Sequence, residues 1–208
     1  MIRAARILER TRAEGPGLRF CLWVQGCTLH CPGCYAAALQ DPDGGFPVEE
    51  ASLIRQILAL APELEGITLL GGEPFLQAGP LAELAAAARG AGLSVLCFTG
   101  FVYEHLLAEG DKDRIRLLSQ VDVLLDGPYL QDQRDFSRPL IGSRNQRYRF
   151  LTDRYDEAAL LAVPNRVELR IGKDGICRLN GMGDFPALEQ QLKQSELWRE
   201  EEHVILEF

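Results

Sequence analysis

No stretch of this chain approaches the roughly 20 consecutive apolar residues that a membrane-spanning helix requires. The amino-terminal MIRAARILERTRAEG carries too many charges to hold the apolar centre of a signal peptide. Basic charge is in short supply: 22 Lys and Arg against 30 Asp and Glu give a formal net charge of −8. That balance argues against a general nucleic-acid binder, which needs a cationic face to displace phosphate counterions. There is no internal repeat, low-complexity tract or flexible linker. The composition, 47% apolar and 25% charged, has no signature of disorder. What remains is a chain of 208 residues, suited to one domain with a small appendage and a sizeable core. The expectation is a cytoplasmic globular protein. In that reducing setting six cysteines are metal ligands or buried thiols rather than a disulfide framework.

Apolar runs and turn residues divide the chain into alternating β and α elements. RFCLWVQ (19–25) has strand composition and leads straight into Gly26 and a cysteine cluster. A helix is expected over 48–61, with Pro47 near its start and Glu49 and Glu50 in its first turn, where acids suit the helix dipole. The buried strand GITLL ends at Gly71 and Gly72. Then follow an alanine-rich helix over 80–90, a strand over 93–98, helical turns over 102–118 and a strand over 121–125. Such alternation predicts an α/β fold with parallel strands and helical crossovers. Each chemically suggestive segment (27–34, 71–74, 98–100 and 126–128) falls just after a predicted strand, the edge where chemistry collects in barrel-like parallel sheets. Residues 127–145 read as a long loop and 147–151 as one more strand. Beyond Tyr155, VELRI, GKDG and ICRLN read as a hairpin, followed by a helix over 186–199 and a last strand, HVILEF.

Cys27, Cys31 and Cys34 place three thiols within eight residues, on a loop that Gly26, Pro32 and Gly33 can bend around one centre. Soft thiolates select zinc, copper(I) or iron-sulfur centres, and structural zinc sites almost always have four protein ligands. Three ligands favour a [4Fe-4S] cubane with one iron open to a cofactor or substrate. The alternative is a non-enzymatic zinc module completed by His30 or Cys21. Cys97 and Cys177 stand alone and read as small buried thiols.

The spacing CxxxCxxC resembles the signature of the radical S-adenosylmethionine superfamily. Gly71-Gly72-Glu73-Pro74, about 40 residues further on, is similar to that superfamily's GGEP motif. The resemblance implies a partial (β/α) barrel and a cluster on Cys27, Cys31 and Cys34. It also implies S-adenosylmethionine as cofactor, bound at the open iron and cleaved by one electron to methionine and a 5′-deoxyadenosyl radical. Glu73 is then the contact for the cofactor's amino group, as an acceptor for an ammonium, while the glycines permit close backbone approach. Taken alone, GGEP is equally a strand-to-helix turn.

The phrase GPGLRFCLWVQGC…CPGCY, the LDGPY segment at 125–129 and GSRNQR at 142–147 narrow the resemblance to activating proteins of anaerobic ribonucleotide reductases, over residues 3–152. In that family the radical removes hydrogen from a glycine of a partner enzyme. A flavodoxin or ferredoxin as electron donor belongs to the same implication. Thr99 and Gly100 lie where related enzymes line the cofactor pocket. Asp126 falls at a strand end that in glycyl-radical activases helps form a polar or cation site, or else it caps a turn before Gly127-Pro128. Ser143, Asn145 and Gln146 belong to the pocket edge or bond locally within their loop. The core is expected over 1–154 and a small α+β extension over 155–208. That extension has no counterpart in the shorter activases and no auxiliary cluster motif, and it leaves open a second reading in which the substrate is a small molecule or peptide.

Overall fold

A computed structural model describes residues 1–173, 177–194 and 206–207. The chain begins with a ten-residue strand, β1 (Ile2–Thr11), that sequence reading did not assign. Its Arg3, Arg6, Glu9 and Arg10 mask the pattern, yet Ile2 and Ala4 are fully buried in the main core. β1 pairs antiparallel with β2 (Arg19–Val24) on one side and with β3 (Phe46–Val48) on the other. Pro47 and Val48 therefore belong to a short strand, and the expected helix begins two residues later as α1 (Glu50–Leu60).

The centre of the sheet is parallel: β2, β4 (Gly66–Gly71), β5 (Ser94–Phe98) and β6 (Val123–Asp126) lie side by side. β7 (Arg147–Phe150) returns antiparallel to β6. The order β3-β1-β2-β4-β5-β6-β7 leaves β3 and β7 as separate edges, so the sheet is open. The crossovers are α1, α2 (Ala78–Gly90) and the pair α3 (Tyr103–Ala108) and α4 (Lys112–Leu118). The turns expected over 102–118 split into two helices at Gly110, where φ is 66°. Asp111 then caps α4 by accepting from the Asp113 and Arg114 N–H groups.

Both faces of the parallel strands are buried, which is why they read as near-continuous apolar runs. Phe20, Leu22, Ile67, Leu69, Val95, Cys97 and Leu124 face the helices and pack on Leu53, Ile57, Leu81 and Leu84. On the opposite face Cys21, Trp23 and Leu70 meet Leu39 and Phe98. Further along that face Leu96, Val123 and Leu125 meet Leu140, Ile141 and Leu160.

After α5 (Glu157–Leu161) comes the expected hairpin, β8 (Val167–Ile171) against β9 (Cys177–Gly181). α6 (Phe185–Gln194) follows, and β10 (Leu206–Glu207) runs parallel to β9. Part of the expected GKDG turn, and the expected helix beyond residue 194, lie outside the described residues. The hairpin is fastened to β1. Arg6 Nη1 donates to the Leu179 carbonyl at 2.6 Å and Thr11 Oγ1 donates to Glu168 at 2.8 Å.

Candidate metal centre

β2 delivers the chain to Gly26, whose φ of 93° turns it into the cysteine loop. The loop is closed at its base: Gly26 N–H donates to Leu39 O at 2.8 Å and Cys27 N–H to Gln40 O at 3.1 Å. Within it, Gly33 (φ 71°) and, unusually for a residue with a side chain, His30 (φ 47°) take left-handed conformations that reverse the backbone. Cys27, Cys31 and Cys34 are all partly exposed.

Backbone N–H groups of Leu29 and His30 bond the Cys27 sulfur, and the Ala36 N–H with the Gln40 side chain bonds that of Cys34. Burial raises the pKa of both thiols, and these donors pull it back toward the thiolate. Donors of this kind also tune iron-sulfur centres.

Among the described residues no three His, Cys, Asp or Glu side chains are gathered closely enough to grip one ion. A tetrahedral zinc would need its sulfurs about 3.8 Å apart. A cubane asks for something looser, with one thiolate at each of three separate irons. Neither candidate for a fourth zinc ligand joins the set: Cys21 is in the apolar cluster with Trp23 and Leu70, and His30 Nδ1 meets Gln40 Oε1 at 3.1 Å.

The loop is seated on the ends of β4 and β5 by glycines. A Cβ at position 71 would sit 2.5 Å from Val24 N, and one at 72 would sit 2.3 Å from Gly26 O. Glu73 N–H also donates to Gly26 O, at 2.9 Å. A Cβ at 100 would sit 2.3 Å from Leu29 Cδ1, and one at 33 would sit 2.8 Å from the Gln131 side chain. The close approaches that demand glycine at 71 and 72 are thus contacts of the protein with its own strand β2 and the start of the cysteine loop, while at 100 the neighbour is the Leu29 side chain.

Glu73 is 0% exposed. Its Oε1 accepts from Phe75 N at 2.9 Å and from Thr99 Oγ1 at 2.8 Å, and its Oε2 accepts from Gly100 N at 2.8 Å. Burial nevertheless pushes the carboxyl up to about 7. The carboxylate expected to meet a cofactor ammonium is thus engaged by three donors of its own chain. It ties the 71–74 turn, where buried Pro74 opens a 3-10 turn (Pro74–Gln77), to Thr99 and Gly100.

Asp126 is not brought to this assembly. It shares the parity of Leu124 in β6 and so faces the helices. There it accepts from Tyr103 N at 2.9 Å, Arg147 Nη2 at 2.6 Å and Arg149 Nε at 3.3 Å. Ser143 and Asn145 bond locally: Ser143 Oγ donates to Asn145 Oδ1 at 2.8 Å, and Asn145 Nδ2 to Pro128 O at 2.7 Å. Gln146 closes the same loop by donating to Gly127 O and accepting from the Gly142 and Ser143 N–H groups. Together these bonds fix the 127–146 segment whose Gln131 packs on Gly33.

Beside the cysteine loop, on the sheet face away from the helices, lies a cavity of about 690 Å³ lined by Arg6, Trp23, Tyr35, Leu39, Phe46 and Arg178, among others. A second, of about 190 Å³, adjoins it and reaches Gly71, Phe98, Glu14, Asn180 and Phe185. Glu14 and Asn180 were missed by sequence reading, since neither belongs to a local motif and they lie 166 residues apart. Burial pushes the Glu14 carboxyl up to about 7, against hydrogen bonds from Asn180 and the Gly181 N–H. Tyr35, next to Cys34, meets the Phe185 ring edge-on with centroids 5.4 Å apart. Arg134 lies over Tyr35 at 5.8 Å and pairs with Asp184 at 2.8 Å.

The stretch that holds these motif loops, residues 13–149, matches the family described as a 4Fe-4S single cluster domain. The chain belongs to that family. Relatives with a more particular name lie alongside it. The anaerobic ribonucleoside-triphosphate reductase-activating protein of Escherichia coli K12 is 30% identical over 140 residues, 64% of this chain and 88% of that protein. The protein of the same name from Pasteurella multocida is 33% identical over 146 residues, 66% of this chain and 90% of that protein. That of bacteriophage T4 is 29% identical over 154 residues, 71% and 94% respectively.

Proposed function

We propose that this chain is a radical S-adenosylmethionine enzyme of the glycyl-radical-activating type, acting on a glycine of a partner enzyme such as an anaerobic ribonucleotide reductase. On this reading the open sheet is a partial (β/α) barrel within a core of residues 1–154, and residues 155–208 are an extension. The observation that carries the proposal is the interlock of three motif loops at one edge of the parallel sheet. The loop with Cys27, Cys31 and Cys34 rests on Gly72 through Gly26 and on Gly100 through Leu29.

The donor set fits a [4Fe-4S] cluster: three thiols on one loop, two of them bonded by N–H groups, with one iron left without a protein ligand. When bound, the cluster and S-adenosylmethionine supply a one-electron cleavage that yields methionine and a 5′-deoxyadenosyl radical able to remove hydrogen from carbon. The chain holds and shields that chemistry. Gly71, Gly72, Pro74, Thr99 and Gly100 form the rim that receives the cofactor, and Glu73 fixes their relative position. Trp23, Leu70 and Phe98 give the adjoining face an apolar wall that keeps water out. Asp126, Ser143 and Asn145 act indirectly, by fixing the loop that backs Gly33.

Among the described residues no helix is long and apolar enough to cross a membrane. A flavodoxin or ferredoxin supplies the electron, and the cytoplasm is the compartment that holds such donors. The test is electron paramagnetic resonance of anaerobically reconstituted, dithionite-reduced protein before and after S-adenosylmethionine. The expected result is a reduced [4Fe-4S] signal that shifts on addition, with deoxyadenosine formed and a glycyl radical appearing on an added reductase. A cluster indifferent to the cofactor, or none at all, refutes the proposal.

One observation favours a second reading, in which a small molecule or peptide is modified: a cavity of about 690 Å³, to which the extension contributes Arg178, is within the size range of small-ligand sites. Hydrogen loss from such a substrate, coupled to deoxyadenosine and without a protein radical, would identify it.

A further inference from the structure

The two cavities share Trp23, Tyr35, Ala36 and Leu39 and so form one groove. It runs from Phe46 and Arg178 at its outer end, past the residue that follows Cys34, to Gly71 and Phe98 at the ends of β4 and β5. Its outer and inner walls both include residues of the extension, which lies beyond the 13–149 family match.

At the inner end the wall is polar. Asn180 is 5% exposed and lines this cavity beside Glu14. Its Nδ2 donates to Thr11 Oγ1 at 3.0 Å and to Glu14 Oε1 at 3.2 Å. The amide is placed with its nitrogen toward Thr11 and Glu14. The other end, Oδ1, is buried and has no hydrogen-bond partner among the described residues. Buried amide oxygens are nearly always paired, so this one marks a place where a bound donor belongs. The Glu14 carboxylate already faces the positive charge of Arg6. The amide oxygen is an acceptor without charge, and an N–H is its complement. Beside it stand aromatic walls, Trp23, Phe98 and Phe185, and the apolar Leu39, Leu70 and Met182.

We infer that the C-terminal extension completes a peptide-binding groove in which Asn180 Oδ1 accepts a backbone N–H of a glycine-bearing segment and the aromatic walls hold the flanking side chains. This rests on the activating function proposed above and names the part of the chain that grips the substrate loop. An extended polypeptide suits the site because it offers N–H donors along a line, in an elongated groove. Asn180 is a binding residue and takes no part in hydrogen removal.

The test uses the full-length protein and a blocked heptapeptide, acetyl-Ala-Ala-Phe-Gly-Phe-Ala-Ala-amide, with the set of its singly N-methylated analogues, by titration calorimetry. In the wild type, one N-methyl group lowers affinity about tenfold, the scale of one buried hydrogen bond. Asn180→Leu binds the parent peptide about tenfold more weakly and binds that methylated analogue and the parent alike. Ala36→Trp fills the neck of the groove with Asn180 itself unchanged and abolishes binding, which keeps the test open if Asn180→Leu fails to fold. No binding to the wild type, or a methylation penalty that persists in Asn180→Leu, overturns the inference. Equal binding by wild type and Asn180→Leu does so too, and shows that solvent serves the oxygen. If the reductase acquires its radical while the peptide series fails, the groove assignment alone falls. If the series succeeds while no protein radical forms, the activating function falls and peptide binding stands.

Discussion

The substitution Glu14→Gln tests how the extension is held to the core. Glu14 is 5% exposed, and burial lifts its carboxyl from 4.5 to about 7. The folded protein thus holds a proton on Glu14, between pH 4.5 and 7, that the unfolded chain releases. Stability falls as pH rises through that window and levels off above it, because the native state binds more protons than the unfolded one. At about 1.4 kcal/mol per pH unit, a shift from 4.5 to about 7 costs about 3 kcal/mol once the carboxyl is ionised. A glutamine at this position keeps a carbonyl for the Asn180 and Gly181 donors and cannot ionise. Urea unfolding of both proteins at pH 5, 6, 7 and 8 should give similar stabilities at pH 5, with the variant about 3 kcal/mol ahead at pH 8. Glu73 titrates in the same window in both proteins and cancels in the difference. A wild-type-minus-variant difference that is flat with pH would refute the assignment of a buried, ionisation-resistant carboxyl at this position.

Changing Cys27, Cys31 or Cys34 to Ala should each remove iron and sulfide from the reconstituted protein, while Cys97→Ala, deep in the helix-side core, should leave them unchanged; elemental analysis checks both. Glu73→Ala strips the acceptor from three donors at Phe75, Thr99 and Gly100. It should cost about 3 kcal/mol or more in urea unfolding, since each buried orphan costs about 1–3 kcal/mol. The same change should weaken S-adenosylmethionine binding through the displaced rim, read by equilibrium dialysis. Gly181→Ala forces φ of 112° on a side chain and sets its Cβ 2.0 Å from the Arg166 carbonyl oxygen. Strain of this kind costs about 2–3 kcal/mol, and hydrogen exchange should show the hairpin strands β8 and β9 losing protection while β4 and β5 keep theirs.

The legible parts of this chain were those written locally. Three cysteines within eight residues are read from spacing alone, and the parallel strands from unbroken apolar runs buried on both faces. β1 escaped because four of its ten residues are Arg or Glu, and its strand character comes from pairing with β2 and β3 rather than from propensity. The two helices after β5 were read only as helical turns over 102–118, because a single Gly110 does not reveal its positive φ in the sequence. Glu73 was found, but its partners within the chain were not, since two of its three donors sit 26 and 27 residues away. The orientation of Asp126 was within reach: alternation from Leu124 alone sends its side chain toward the helices. Asn180 could not be read at all, because what makes it notable is the company of Thr11 and Glu14, on the far side of the sequence.

The extension does more than cover a sheet face. Tyr35 directly follows Cys34 and is gripped from two sides, by the Phe185 ring and by Arg134, which Asp184 holds in turn. A shift of the α6 amino terminus is therefore felt one residue from a candidate cluster ligand. The same hairpin that supplies Asn180 is fastened to β1, which pairs directly with β2, the strand that leads into Gly26 and the cysteine loop. Filling the groove would press on Phe185 and Tyr35 together. On the proposed function, that linkage lets the arrival of a substrate segment set the geometry of the loop that holds the cluster. Coupling of this kind needs a rigid path, and a packed ring pair backed by a salt bridge supplies one. Phe185→Ala breaks the path without touching a proposed cluster ligand, and because it also trims a groove wall it is compared with the wild type at saturating peptide. It should leave iron content intact while uncoupling deoxyadenosine formation from added peptide, and a peptide response equal to that of the wild type would disprove the linkage.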